Sequence, residues 1–206
     1  MIPIYSPSFN KEEKQNLMKC IDTGWISSQG SLIEKFECNF ARWNKMKYGV
    51  TTSSCTSALH LALVALGVGD GDEVICPDLT FIAPANMICL AGASPVLVDV
   101  NAINWGIDPV KLEEKITIKT KAIIVVHAFG HSADMDPILA IAKKYNLYVI
   151  EDVAEAPGAM YKNNMVGTMG DVACYSFFAN KIMTTGEGGM VLSNSASIDK
   201  QLRIYR

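Results

Sequence analysis

The chain has 206 residues, half of them hydrophobic and only 19% charged, with 18 basic and 21 acidic side chains giving a formal net charge of -3. That apolar content can bury a large core and excludes a solvated, disordered chain. No block of Lys and Arg is present to track a phosphate backbone, so nucleic acid is not an expected partner. The apolar runs at 61–66 and 122–126 fall far short of the roughly 20 residues of a membrane span, and the first residues lack the basic and apolar regions of a signal peptide.

In chain order, residues 11–22 predict a helix with Leu17, Met18 and Ile21 on one side. Residues 31–43 place Leu32, Phe36, Phe40 and Trp43 along one face of a second helix, with Ser31 as its N-cap. Residues 47–52 predict a strand. Residues 56–66 are apolar nearly all round and predict a buried helix. Strands are then predicted at 73–76, 95–100, 122–127, 147–151, 173–178 and 189–192, with helices at 81–91, 108–115 and 135–145. Turn signals at Gly67-Val-Gly-Asp-Gly71, at 101–108 and at Tyr145-Asn146 punctuate them. Seven strands alternating with helices predict an α/β domain with a mostly parallel sheet sandwiched by helices. Residues 197–206 predict a helix with no Gly or Pro stop, the pattern of a chain cut in mid-element.

The six cysteines form no Cys-x-x-Cys pair, and buried, reduced thiols in a cytoplasmic protein are expected. His127 and His131 form one His-x3-His pair but span a strand end and a Gly-containing loop, so no metal site is expected.

Ligands of an open α/β sheet collect at the carboxyl ends of its strands. Asp152 and Ser176 lie at such ends, and Lys181 lies in the loop beyond. The run Thr51-Thr-Ser-Ser-Cys-Thr-Ser57 delivers hydroxyls and free N–H groups to a helix start, which suits a phosphate. Taken alone, such hydroxyls are more often plain helix caps, a lone Lys a solvated charge and a lone Asp a helix cap. Together, an amine that becomes nucleophilic when desolvated and a carboxylate for a pyridinium nitrogen are what a pyridoxal phosphate site requires. Gly67-x-Gly-x-Gly71 follows a helix instead of a strand, and Thr185-Gly-Glu-Gly-Gly189 lacks the Gly-Lys-Ser/Thr of a P-loop. Neither Gly-x-Ser-x-Gly nor His-Glu-x-x-His occurs.

The segments Gly24-Trp-Ile-Ser-Ser-Gln-Gly30, Thr56-Ser-Ala-Leu-His-Leu-Ala62, Asp78-Leu-Thr-Phe81, Ala133-Asp-Met-Asp136, Glu151-Asp-Val-Ala-Glu-Ala156 and Ser176-Phe-Phe-Ala-Asn-Lys-Ile-Met-Thr-Thr-Gly-Glu-Gly-Gly189 occur in this order and spacing. With them the whole chain resembles the DegT/DnrJ/EryC1/StrS family of sugar aminotransferases, most closely its perosamine branch. The resemblance implies the large domain of a fold-type I pyridoxal-phosphate-dependent transferase, here residues 1–206, with a small C-terminal domain beyond it in relatives.

It implies roles residue by residue. Lys181 matches the lysine that condenses with the cofactor aldehyde and moves the substrate proton, and Asp152 the carboxylate on the ring nitrogen. Phe81 matches the aromatic stacked on the ring, while Thr56, Ser57 and Ser176 match the phosphate cradle. Glu155 matches a Glu/Gln position beside the cofactor's phenolic oxygen, the Glu favouring the perosamine branch. The implied reaction transfers an amino group, with glutamate as donor, to a nucleotide-linked 4-keto-6-deoxy sugar in polysaccharide biosynthesis. The implied assembly is a cytoplasmic homodimer. Cys55 and Ser57 depart from the family's usual glycine and small apolar residue, Pro157 from histidine and Ala179 from glycine. Two alternatives are carried: a sugar dehydratase, whose relatives have histidine at the Lys181 position, and a truncated fragment that at most binds the cofactor.

Overall fold

A computed structural model describes residues 6–206. Two N-terminal helices, α1 (Lys11–Thr23) and α2 (Ser31–Trp43), precede β1 (Tyr48–Thr52) and α3 (Cys55–Ala65). The chain continues through β2 (Glu73–Pro77), α4 (Ala83–Leu90), β3 (Ser94–Val98), α5 (Pro109–Glu114) and β4 (Thr120–Val126). Next come α6 (Met135–Tyr145), β5 (Tyr148–Asp152), a hairpin of β6 (Met160–Tyr161) and β7 (Asn164–Met165), then β8 (Val172–Ser176), β9 (Gly189–Ser193) and α7 (Ala196–Tyr205).

Seven strands form one sheet in the order β1-β9-β8-β5-β4-β2-β3. Six point the same way; β9 runs antiparallel to both β1 and β8. The seven strands of the sequence reading are these seven, each within two residues at its ends. The β6–β7 hairpin is additional. Its strands are too short to show a period of two, and its turn carries Lys162 at φ 52.

Both faces of the sheet are covered. Adjacent Ile123 and Ile124 on β4 point to opposite faces, and each is fully buried. Ile124 joins Leu59, Leu63 and Ile88 under α3 and α4, while Ile123 joins Leu112, Met135 and Ile138 under α5 and α6. Burial of each such Leu or Ile contributes about 1.5–3 kcal/mol. α3 is packed on nearly all sides, with Cys55, Ala58, Leu59, Leu61, Ala62 and Leu63 buried. α2 lays Phe40 on β8, where its ring meets Tyr175 and Phe177 edge-on at 4.9 and 5.1 Å. The Tyr175 hydroxyl donates to the buried Asn44 side chain at 2.9 Å.

Two local expectations are corrected, the cap of α2 and the burial of the cysteines. The N-cap of α2 is Gly30, with no side-chain cap, and Ser31 is the first helical residue. Leu17, Met18 and Ile21 form one side of α1 but are exposed, and no residue of α1 is buried. Cys55, Cys76 and Cys174 are buried free thiols, whereas Cys38 and Cys89 are exposed. α7 spans Ala196–Tyr205, one residue earlier at each end than the sequence reading placed it. None of the helices among the described residues is long and apolar enough to cross a membrane.

Candidate active site

The carboxyl ends of β1, β2, β4, β5 and β8 open into a cavity of about 650 Å³, within the size range of small-molecule and cofactor sites. Of the residues singled out in the sequence, Thr56, Phe81, Asp152, Glu155, Ser176 and Lys181 line it.

The start of α3 forms one wall. Ser54 is the N-cap, extended at φ -163, and its Oγ accepts the Ser57 N–H at 3.1 Å. The Thr52 hydroxyl braces the turn by donating to Ser54 O at 2.8 Å. Backbone bonding at this end begins with Ala58 N–H on Ser54 O, so the N–H groups of Cys55 and Thr56 stay free of carbonyl partners among the described residues. Free N–H groups at the positive end of a helix dipole favour an anion.

Ser57 departs from the expected cradle. Its N–H is already held by Ser54, its Oγ lies 3.1 Å from the hydroxyls of both Ser53 and Ser54, and it lines a neighbouring hollow with His60 and Arg206.

The turn is held tightly from behind. A Cβ on Gly189, the first residue of β9, would lie 2.3 Å from Ser54 O and 2.7 Å from Cys55 N. Gly189→Ala is therefore expected to displace the start of α3 and to weaken pyridoxal phosphate binding at least tenfold, measured by absorbance titration. Unchanged affinity would show that the turn does not hold the ligand.

Asp152 ends β5 and is 6% exposed. Its Oδ1 accepts the Ala154 N–H at 3.0 Å and lies 3.9 Å from the Cys55 sulfur; Oδ2 receives no hydrogen bond from the described residues. Burial raises its pKa above the usual aspartate value, opposed by the Ala154 N–H and by the nearby His127 and Lys181. An acid whose folded pKa lies above its unfolded value keeps more protons in the folded state, so stability falls as pH rises through that interval. Asp152→Asn is expected to raise the melting temperature of the cofactor-free chain at pH 8, with the gain vanishing below about pH 3.9. A lower melting temperature at pH 8 would contradict this.

Lys181 lies in the β8–β9 loop, where its N–H donates to Phe178 O at 3.0 Å and the Phe177 N–H donates to Gly188 O at 2.9 Å. Its Nζ is 3.5 Å from Glu155 Oε1. The other Glu155 oxygen accepts the Phe129 N–H at 2.9 Å. Phe129 sits in the left-handed region at φ 52, an uncommon backbone for a bulky residue and one often found where function demands it. Ser176, at the end of β8, is buried and accepts the Phe178 N–H at 3.4 Å.

Sequence reasoning assigned no part to Ala154 or Phe129, both of which line the cavity. The Asp152-x-Ala154 spacing was a usable signal for the first. Nothing in a Phe residue signals the second.

A buried polar pair lies behind the site. Glu151 and His127 are fully buried, with His127 Nε2 3.0 Å from Glu151 Oε2. His127 Nδ1 accepts the Ala133 N–H at 3.2 Å, which places the ring proton on Nε2. Glu151 also accepts the N–H groups of Gly167, Met169 and Gly170 at 2.6, 2.8 and 2.6 Å.

Known proteins resemble the chain over nearly all of its length. Residues 7–206 match the model of the DegT/DnrJ/EryC1/StrS aminotransferase family. The GDP-perosamine synthase of Escherichia coli O157:H7 is 51% identical over 197 residues, covering 96% of this chain and 54% of that protein. An aminotransferase structure from Psychrobacter cryohalolentis superposes with TM-score 0.92 at 40% identity, over 98% of this chain and 52% of the other. The PLP form of the sugar aminotransferase Spr1654 from Streptococcus pneumoniae gives 0.91 at 31% identity, over 98% and 56%. The chain thus spans about half the length of the relatives it matches. It belongs to the DegT/DnrJ/EryC1/StrS aminotransferase family.

Proposed function

We propose that residues 1–206 are the cofactor-binding large domain of a pyridoxal-phosphate-dependent aminotransferase. Its amino donor is glutamate, and its acceptor is a nucleotide-linked 4-keto-6-deoxy sugar, as the perosamine-type relative suggests. The observation that carries the reading is that an amine, Lys181, and a buried carboxylate with one oxygen unpartnered among the described residues, Asp152, line one cavity with a helix start suited to an anion.

The donor set fits the cofactor. Thr56 N–H and the Ser176 hydroxyl would hold its phosphate, Asp152 Oδ2 its ring nitrogen, and Phe81 and Ala154 its faces. When bound, pyridoxal phosphate supplies an aldehyde for amines and a ring that takes up electron density from the neighbouring carbon. The protein's part is orientation and proton movement. Lys181 Nζ takes a proton from the substrate carbon and returns one, and Glu155 Oε1 fixes where that amine stands. Phe129 orients Glu155 through its N–H. Asp152, kept from water, keeps a ring proton in place by charge.

The full-length enzyme is proposed to be a cytoplasmic homodimer. Phe81, Phe129 and Ile182, each at least 70% exposed, are apolar and suit a second copy.

The test supplies full-length enzyme with ¹⁵N-glutamate and a GDP-linked 4-keto-6-deoxy sugar. Transfer of label to the sugar supports the reading. Loss of water from the sugar without nitrogen transfer overturns it in favour of dehydration.

A further inference from the structure

We propose that Cys55 is a positioning residue for Asp152: its thiol holds Oδ1, so that Oδ2 is the oxygen left to face the cavity. The inference rests on the reading above, in which Oδ2 takes the ring nitrogen of the cofactor.

The geometry is specific. Asp152 Oδ1 has two donors, the Ala154 N–H at 3.0 Å and the Cys55 S–H at 3.9 Å, arriving from its own chain and from the start of α3. Oδ2 has none among the described residues. A carboxylate with both donors on one oxygen has a fixed plane and one oxygen free for a ligand.

A thiol is a weak donor, and 3.9 Å is near the limit for sulfur. Its effect comes from the surroundings. Cys55 is 9% exposed and Asp152 6%, so little water competes with the contact. Burial first, then the charge of Asp152 and the nearby Cys174, push the Cys55 thiol well above its ordinary value, against the opposing charge of Lys181. Cys55 therefore stays a neutral S–H that donates to the carboxylate throughout the working pH range. It cannot act as a thiolate nucleophile there. A glycine at 55 would provide no donor and would leave space beside Oδ1.

The test reads Asp152 directly in the cofactor-free chain. Its side-chain ¹³C resonance, assigned by its loss in Asp152→Asn, is titrated in wild type, Cys55→Ala and Cys55→Ser, each first checked for native circular dichroism. The other ionisable groups facing Asp152 are Lys181 in the β8–β9 loop, Glu155 just beyond β5, His127 after β4 and Cys174 on β8. None of these is altered.

Loss of the donor is expected to move the Asp152 midpoint up by about half a unit to one unit in Cys55→Ala. Cys55→Ser, which restores a donor, is expected to bring it back to the wild-type value or below. An unchanged or lowered midpoint in Cys55→Ala overturns the proposal, as does a Ser variant that behaves like Ala, since the sulfur would then only fill space. If Cys55→Ala fails to fold, the Ser variant is compared with wild type, and a midpoint above wild type overturns the proposal.

Pyridoxal phosphate titration of the same proteins separates this inference from the functional reading. A raised midpoint with cofactor affinity three- to tenfold weaker in Cys55→Ala supports both. A raised midpoint with unchanged affinity upholds the thiol–carboxylate contact and overturns the assignment of Asp152 to the ring nitrogen.

Discussion

Lys181→Ala is expected to slow amino transfer in the full-length enzyme by at least 10²–10⁴-fold, the usual contribution of a positioned acid–base group. Lys181 supplies the amine that stands next to the cavity's buried carboxylate, with its Nζ held 3.5 Å from Glu155 Oε1. The loop that carries it is tied down by the bond from Phe177 N–H to Gly188 O, so the amine is placed by rigid backbone. Arginine keeps the charge but cannot give up its proton, so Lys181→Arg is expected to be as slow as Ala. Single-turnover transfer of ¹⁵N from glutamate measures the step. Near-wild-type rates in either variant would remove Lys181 from the mechanism. Glu155→Gln keeps the bond to the Phe129 N–H and is expected to lose less, because it removes a charge but leaves the amine in place.

Glu151→Ala is expected to destabilise the chain by about 3–5 kcal/mol, the range seen when one partner of a buried polar pair is removed. The carboxylate is fully buried and gathers four donors: the N–H groups of Gly167, Met169 and Gly170, and His127 Nε2. Truncation leaves all four without their acceptor, beside a carboxylate position that is itself shut off from water. Against a total of about 5–15 kcal/mol for a domain, that is a large fraction. Glu151→Gln also suffers, because its amide group would turn a donor toward one of these N–H groups. Urea unfolding checks the expectation through a lowered midpoint with an unchanged slope. A loss under 1 kcal/mol for Glu151→Ala would mean that water replaces the carboxylate.

Glu151 and Asp152 show what the sequence displays and what it hides. They are neighbours at a strand end, and alternation along β5 sends their side chains to opposite sides. The strand-end rule brought out Asp152 and, beyond β8, Lys181, because both lie where apolar runs stop. The four donors on Glu151 come from residues up to 24 positions away, and no local pattern announces them. The strands themselves were legible because buried parallel strands are near-continuous apolar runs. The reversed direction of β9 was not, since direction leaves no trace in composition.

The misplacements have similar causes. Ser57 has the right chemistry, but the N-cap bond from its N–H to Ser54 turns it toward the neighbouring hollow. Phe129 lines the cavity because its backbone is left-handed, a conformation for which glycine, and not phenylalanine, is the usual sign. The apolar side of α1 has the helical spacing read from the sequence, and Leu17 and Ile21 on it are exposed. Periodicity identifies a helix and its apolar side; it does not identify what that side packs against.

Borohydride reduction of the pyridoxal phosphate complex, followed by proteolysis and peptide mass mapping, tests the assignment of the cavity most directly. Reduction fixes the carbon–nitrogen bond between the cofactor's aldehyde carbon and the amine that condensed with it. The expected result is stoichiometric modification of Lys181 alone, lost in Lys181→Ala and weakened in Gly189→Ala. Modification of a different lysine, or none at saturating cofactor, would contradict the site described here.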